Sequence, residues 1–483
     1  MCWMYIVGHP IAKSDGNRYG KINFGEVRNM EEKTVRGELE YNGKNFPFVI
    51  ENRILTIVQS AFHHNKDFFE NEYLGTLKGV TDENKYILLL DCRILNYAFR
   101  TLNGKIQIGL HGYILQDTAE DRFDCIEFYS PALCAFYSPR KAWKAEFDDE
   151  NDMKSLALTP YDEVMLEIPV TISEENLQCA LGFARHFNLR LEDQHALTIQ
   201  PGLILDLPTE KSSLDLGKYY LYVRDFLAFI SFKRDVPFDD IVLWRREADG
   251  KQHKCGKAVI FQVENIDFKP DAYHSITYDD LGSDSFAALF KETAEQRLLG
   301  GYNPYFLPAN RSEANIVEKS SWLITAVSFE GEFDKRYKNM KAERDQLFYN
   351  TKETLLSAID KAVQYSTCSI NNPQNKYFKS FRHLIECYDT TIKEKFQFCE
   401  DHFNSEIEQV KRKYCKFAGV PATTDLAMKY AESRNQSAHG NIAPITQEDV
   451  VTFQLLRCFI YLLIMERAEV PCEKRKEIIN KLF

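Results

Sequence analysis

The sequence predicts an α+β multidomain protein in which a β-rich N-terminal region is followed by an all-α helical bundle, and three observations carry that expectation. Short β-rich runs separated by Gly and Asn turns fill residues 17–140, and strand patterns recur from Val164 to about Phe268. After Glu313 the apolar residues take up the three-and-four spacing of helices. At 483 residues the chain has room for two or three domains with cores of their own, and 13% aromatic content excludes a mainly disordered chain.

The early strands include Phe46–Ile50, Tyr86–Leu90 and Ile106–Leu110. The acidic stretch Glu146–Asp152 reads as an exposed connection between a first β-rich subdomain, residues 1–150, and a second, residues 151–312. Within the second lie the expected strands Val164–Val170, Leu197–Leu205 and Ala258–Val263, with one helix near Leu221–Phe232. Gly300, Gly301 and Pro304 interrupt the pattern, and residues 313–337 read as a helical connector. The bundle occupies residues 338–483, with helices expected over Lys338–Tyr365, Lys376–Lys416, Asp425–Ala438 and Glu448–Ala468. Lys376–Lys416 is long for one helix and is expected to bend or break near Asp401. The chain carries no internal repeat, glycine-rich phosphate loop or low-complexity segment.

Several function classes recede on composition. Cys458–Met465, the longest apolar candidate, is too short to span a bilayer, and the first ten residues have no basic, apolar leader pattern, so a cytoplasmic protein without a membrane partner is expected. The 12 cysteines are scattered without a C-x-x-C pair, which suits buried thiols in a reducing compartment. His383, Cys387, Cys399, His402 and Cys415 lie close in sequence and include one C-x-x-H step. Cys399, however, falls on an apolar stripe at helical spacing, so a core cysteine explains it better than a metal, and no cofactor is expected. The formal charge is −11 overall, yet residues 335–483 carry 24 Lys and Arg against 19 Asp and Glu. Lys411, Arg412, Lys413 and Lys416 are the densest part of that excess. They are candidate RNA-phosphate contacts, or else a solvated helix end.

The segment richest in chemistry is Glu432-Ser-Arg434-Asn435-Gln-Ser-Ala438-His439-Gly440. It offers a fixed cation, an amide and a titratable base within about one helical turn. Spacing alone says little, because Arg190 and His195 have the same separation and Arg246 and His253 nearly so. The first pair follows a strand-like alternation, and the second crosses the hairpin signal Asp249-Gly250. Only Arg434 stands in a helical frame, with Leu426, Ala427, Tyr430 and Ala431 after the start signal Pro421–Asp425. In a regular helix His439 would point well away from Arg434, and Gly440 suggests that the helix ends there and lets the histidine swing back.

Arg434-Asn435-Gln-Ser-Ala438-His439-Gly440 resembles the signature of HEPN ribonucleases, an arginine and a polar residue succeeded within a few positions by histidine. The apolar helix expected from Val450 to Met465 also resembles the helix that comes after that signature in a HEPN bundle. The longer chain resembles the ApeA type of anti-phage HEPN protein, on Gly37–Leu39, Thr76–Gly79, Ile87–Cys92, Asp225–Phe232 and Ser328–Phe333. The resemblance implies a HEPN-type bundle, a homodimer or higher even oligomer that brings two motifs into one cleft, and RNA as substrate, tRNA among the candidates. It also implies an N-terminal region that senses a phage-derived trigger.

The implied chemistry is metal-independent cleavage. His439 would take the ribose 2′-hydroxyl proton, its ordinary pKa lying nearest neutrality, and the freed oxygen would attack phosphorus. Arg434 would stabilise the charge developing on the phosphoryl oxygens, Asn435 would orient the phosphate or the histidine, and Glu432 would set the arginine's rotamer or merely be a surface carboxylate. The product would be a 2′,3′-cyclic phosphate end. The competing expectation is a non-catalytic HEPN-like bundle that dimerises or binds nucleotide in the service of an N-terminal binding domain, with Arg434, Asn435 and His439 closing a helix end.

Overall fold

The computed structural model of the chain describes residues 3–5, 34–51, 53–59, 72–99, 104–147, 153–188, 197–247, 249–261, 268–301, 303–337, 346–365, 373–386, 391–438 and 444–483. The chain divides into two compact units, Met1–Ala309 and Asn310–Phe483. The first is β-rich and the second helical, as expected.

In the first unit β1 (Trp3–Tyr5) precedes six strands that close on themselves: β2 (Val35–Tyr41), β3 (Lys44–Glu51), β4 (Ile54–Gln59), β5 (Tyr73–Thr81), β6 (Tyr86–Phe99) and β7 (Gly104–Gly109). Their antiparallel pairings run β2–β3–β4–β7–β6–β5 and back to β2, a barrel. Alternation builds its core, because every second side chain of a strand faces inward. In β3 the inward set is Phe46, Phe48 and Ile50, meeting Leu39, Leu55 and Ile106. The β2–β3 turn needs left-handed backbone at two successive positions, and Asn42 (φ 51°) and Gly43 (φ 70°) supply it. Where β2 and β5 cross, a Cβ on Gly37 would lie 2.1 Å from the Val80 carbonyl oxygen, so only glycine fits.

The first half of β6 also pairs with β8 (Gly112–Gln116), which carries the sheet out of the barrel. The path continues through β16 (Gln252–Ile260), β15 (Asp240–Arg246), β9 (Arg122–Tyr129), β14 (Leu197–Ser212) and β13 (Glu175–Asn188); β12 (Leu166–Ile172) and β1 also pair with β13. β8 and β9 precede residue 150 yet pair with strands beyond it, so one sheet crosses the junction expected there. The acidic stretch begins within β10 (Trp143–Phe147), which forms a separate hairpin with β11 (Met153–Leu158); residues 148–152 lie outside the described residues. Among the described residues the α-helices of this unit are α1 (Pro131–Phe136), α2 (Tyr161–Val164), α3 (Leu216–Ile230) and α4 (Tyr278–Leu298). The run LGKYYLYVRDFLAFI makes α3 apolar on most faces and accordingly buried, and its one deeply buried carboxylate, Asp225, is held by Arg224 and Arg297.

The helical unit comprises α5 (Lys319–Tyr337), α6 (Gln346–Tyr365), α7 (Pro373–Glu386), α8 (Ile392–His402), α9 (Asn404–Ala418), α10 (Leu426–Ala438), α11 (Gln447–Arg467) and α12 (Cys472–Leu482). α11 is its axis, buried at every position from Val451 to Met465. Two buried polar residues of α11 stay satisfied because Arg457 Nη1 and Gln454 Nε2 donate to the Ala314 carbonyl at 2.8 and 3.0 Å. The residues expected to be a connector instead form α5, a core helix whose Trp322, Phe329 and Phe333 are buried. The single helix expected over Lys376–Lys416 is three, and the break between α8 and α9 falls at Phe403 (φ −101°, ψ 19°), close to the expected Asp401.

Glu127, on β9, is fully buried with Trp244 Nε1 donating to it at 3.2 Å, and burial pushes its carboxyl up to about 7. Its folded value lies above the ordinary 4.5, so its stabilising contribution is complete below about pH 4.5 and is lost as pH rises through about 7. Glu127→Gln is expected to flatten that fall, on the order of 3 kcal/mol, in chemical denaturation at a series of pH values. An identical pH profile for the variant would refute the reading.

Candidate functional site

The site is built on α10, and the chain before it is shaped to start that helix. Gly419, at φ 67°, closes α9 in the left-handed conformation. After Pro421, Asp425 caps α10 by accepting from the Met428 amide at 2.9 Å, while Lys393 pairs with the same carboxylate and holds its pKa below the usual range. The inward stripe of α10 is Leu426, Ala427 and Tyr430, and Arg434 continues it by one turn.

Tyr430 is buried in an aromatic cluster. Its ring lies 5.2 Å from Phe396, 5.8 Å from Trp322 and 6.0 Å from Phe329, and Phe459 of α11 packs 5.1 Å from Phe396. At the edge of this cluster Arg434 meets Glu330 of α5. Arg434 Nε donates to Oε1 at 2.9 Å and Nη2 to Oε2 at 3.4 Å, and the Tyr430 hydroxyl donates to Oε1 at 3.4 Å. The two side chains are only 23% and 21% exposed, so the pair is shielded well beyond a surface ion pair. Hydrogen bonding to Glu330 raises the arginine's pKa further, fixing its positive charge.

The other expected site residues are dispersed around this pair. Asn435 is exposed on the next position of α10. Glu432 does not set the rotamer of Arg434: it faces the exposed side, where Lys429 binds it at 3.1 Å, and the carboxylate on Arg434 is Glu330. α10 runs to Ala438, and His439 lies outside the described residues. Of the basic residues on α9, Lys411 pairs with Glu400, Arg412 with Glu408, and Lys413 donates to the Phe483 carbonyl. Lys416 is exposed and has no ion pair among the described residues.

Beyond the motif, Thr446 and Asp449 form a reciprocal capping box that starts α11, Thr446 N reaching Asp449 Oδ2 at 2.9 Å. A cavity of about 40 Å³ lies there, lined by Trp322 of α5, Ser433 and Gln436 of α10, and Thr446 and Asp449.

The described members of the cysteine and histidine group of α7–α9 do not converge on one point. Cys399 and Cys415 are buried with thiol pKa values raised chiefly by desolvation. His402 Nε2 sits 2.8 Å from Glu466 and 3.2 Å from the Tyr337 hydroxyl, His383 is exposed on α7, and Cys387 lies outside the described residues. Among the described residues the ligand-capable side chains close enough to share a cation are Glu247, Asp249 and His253, all exposed around the β15–β16 turn. That turn is the Asp249-Gly250 hairpin, with Arg246 drawn to Asp206 at 3.0 Å; Arg190 and His195 lie outside the described residues. Next to it is an open cleft of about 740 Å³ whose arginines are answered by carboxylates, Arg245 by Glu120 and Arg122 by Glu210.

Sequence reasoning missed Glu330, which stands 104 residues before its partner. The signal that could have found it is a carboxylate between Phe329 and Phe333 in a helical stripe, where a charge needs a buried partner.

Residues 18–289, more than half of the chain, match the model of the family described as ApeA N-terminal domain 1. The match runs through both the barrel and the sheet and ends before the helical unit. No curated protein and no solved structure matches the chain.

Proposed function

The chain belongs to the ApeA N-terminal domain 1 family, and from that membership together with the setting of Arg434 we propose an anti-phage defence protein whose helical unit is a metal-independent endoribonuclease of the HEPN type. Family membership supports the defence role. The observation that carries the nuclease reading is the inward, carboxylate-held Arg434 near the described end of a bundle helix, five residues in sequence before the residue expected to be the base. An arginine kept only for solubility would have no reason to sit in a shielded pair.

In the proposed reaction His439 removes the 2′-hydroxyl proton of the ribose and the oxygen attacks the adjacent phosphorus. Arg434 stabilises the charge that grows on the non-bridging oxygens, where its planar fork matches phosphate, and Asn435 orients the phosphate or the histidine. His439 of a second copy protonates the departing 5′ oxygen, so the active species is a homodimer with an isologous interface. Lys416 and Arg412 on α9 supply phosphate contacts, the exposed Arg412–Glu408 pair being weak enough to exchange. The N-terminal region restrains the helical unit until a phage product reaches it.

His439→Ala and Arg434→Ala are each expected to lower RNA cleavage by the purified protein about 10²- to 10⁴-fold. Cleavage unchanged in either would favour the non-catalytic bundle. Removing residues 1–310 is expected to change both cellular toxicity and phage protection, and unaltered values for both would exclude the restraining role.

A further inference from the structure

We infer that Glu330 is a positioning residue for this reaction, holding one edge of the Arg434 guanidinium so that the opposite edge is ready for the scissile phosphate. The inference rests on the nuclease reading of Arg434. A guanidinium has five N–H donors in a planar fork, and Glu330 takes one edge, Nε and Nη2. Among the described residues none takes Nη1. One edge is thereby committed to the protein while a second two-donor edge remains for phosphate oxygens, the geometry that bidentate phosphate recognition needs.

Both ends of the contact are rigidly backed. Glu330 comes directly after Phe329, whose ring packs 5.8 Å from Phe459 and 6.5 Å from Phe396, and precedes the buried Phe333. Arg434 lies one turn beyond Tyr430, whose ring is enclosed by Trp322, Phe329 and Phe396 and whose hydroxyl reaches the same Glu330 oxygen. A long side chain so close to the end of α10 has a competing place to go. The carbonyls of the last turn carry partial negative charge and attract arginine. Glu330 prevails over them with a full charge, and it removes beforehand the rotamer freedom that Arg434 would otherwise lose on meeting the transition state. The carboxylate also neutralises the arginine in the resting chain, so its benefit falls on the transition state, where phosphoryl charge grows, rather than on ground-state RNA binding.

The test is steady-state cleavage of a fluorogenic RNA by the full chain and by Glu330→Ala, Glu330→Gln, Arg434→Lys and the Glu330→Ala/Arg434→Lys double variant. Glu330→Ala is expected to lower kcat about 10- to 100-fold with KM within about threefold. Glu330→Gln, which keeps one acceptor, should retain more activity than Glu330→Ala, and Glu330→Ala should cost less than about threefold in the Arg434→Lys background. A Glu330→Ala protein as fast as the parent or faster overturns the positioning role, as does a loss of equal size in both arginine and lysine backgrounds. A parent that cuts no RNA, or an Arg434→Ala protein that cuts as fast as the parent, removes the nuclease reading itself and the positioning role with it.

Discussion

A helix buried on every face has to be enclosed, and α11 imposes that requirement on the whole helical unit. From Val451 to Met465 it offers no solvent-facing stripe, so α5, α9, α10 and α12 must each lay an apolar face against it. The capping box of Thr446 and Asp449 fixes where this helix begins, and therefore where the segment after α10 must arrive. The aromatic cluster around Phe459 then sets the depth of Tyr430, and Tyr430 sets Arg434. Through this chain of contacts an apolar run late in the sequence determines the setting of a charged pair.

The class of the fold was legible because both periods are local. Alternation marked β3 and β7, three-and-four spacing marked α10, and a continuous apolar run marked α11, nearly to the residue. What was not legible was non-local. A strand such as β8 reads alike whether it joins the barrel beside it or β16, more than a hundred residues later, and so the junction expected at residue 150 runs through a continuous sheet. The stretch expected as a connector is the core helix α5, and only the fold reveals that its Glu330 and Glu332 face Arg434 and Arg467. The break at Phe403 was anticipated because a helix of that length is unusual in a bundle.

The candidate site was legible in part for the same reason. Arg434 could be placed by its helical frame, and the decoy pair Arg246 and His253 dismissed by its hairpin, from neighbouring residues alone. Its partner could not, because the carboxylate next to it in sequence, Glu432, is the wrong one: two residues along a helix point about 160° away, beyond reach. The basic run on α9 illustrates a further limit, since sequence counts charges and not the acceptors that meet them.

The proposed cleavage of RNA by Arg434 and His439, through internal attack of the 2′-hydroxyl, leaves a chemical signature on the ends it creates. The most direct measurement is to incubate the purified protein with total RNA in EDTA and sequence the newly formed 3′ ends by their chemistry. New ends carrying 2′,3′-cyclic phosphate are the expected result. New ends bearing a free 3′-hydroxyl, or cleavage that stops when divalent cations are chelated, would contradict it.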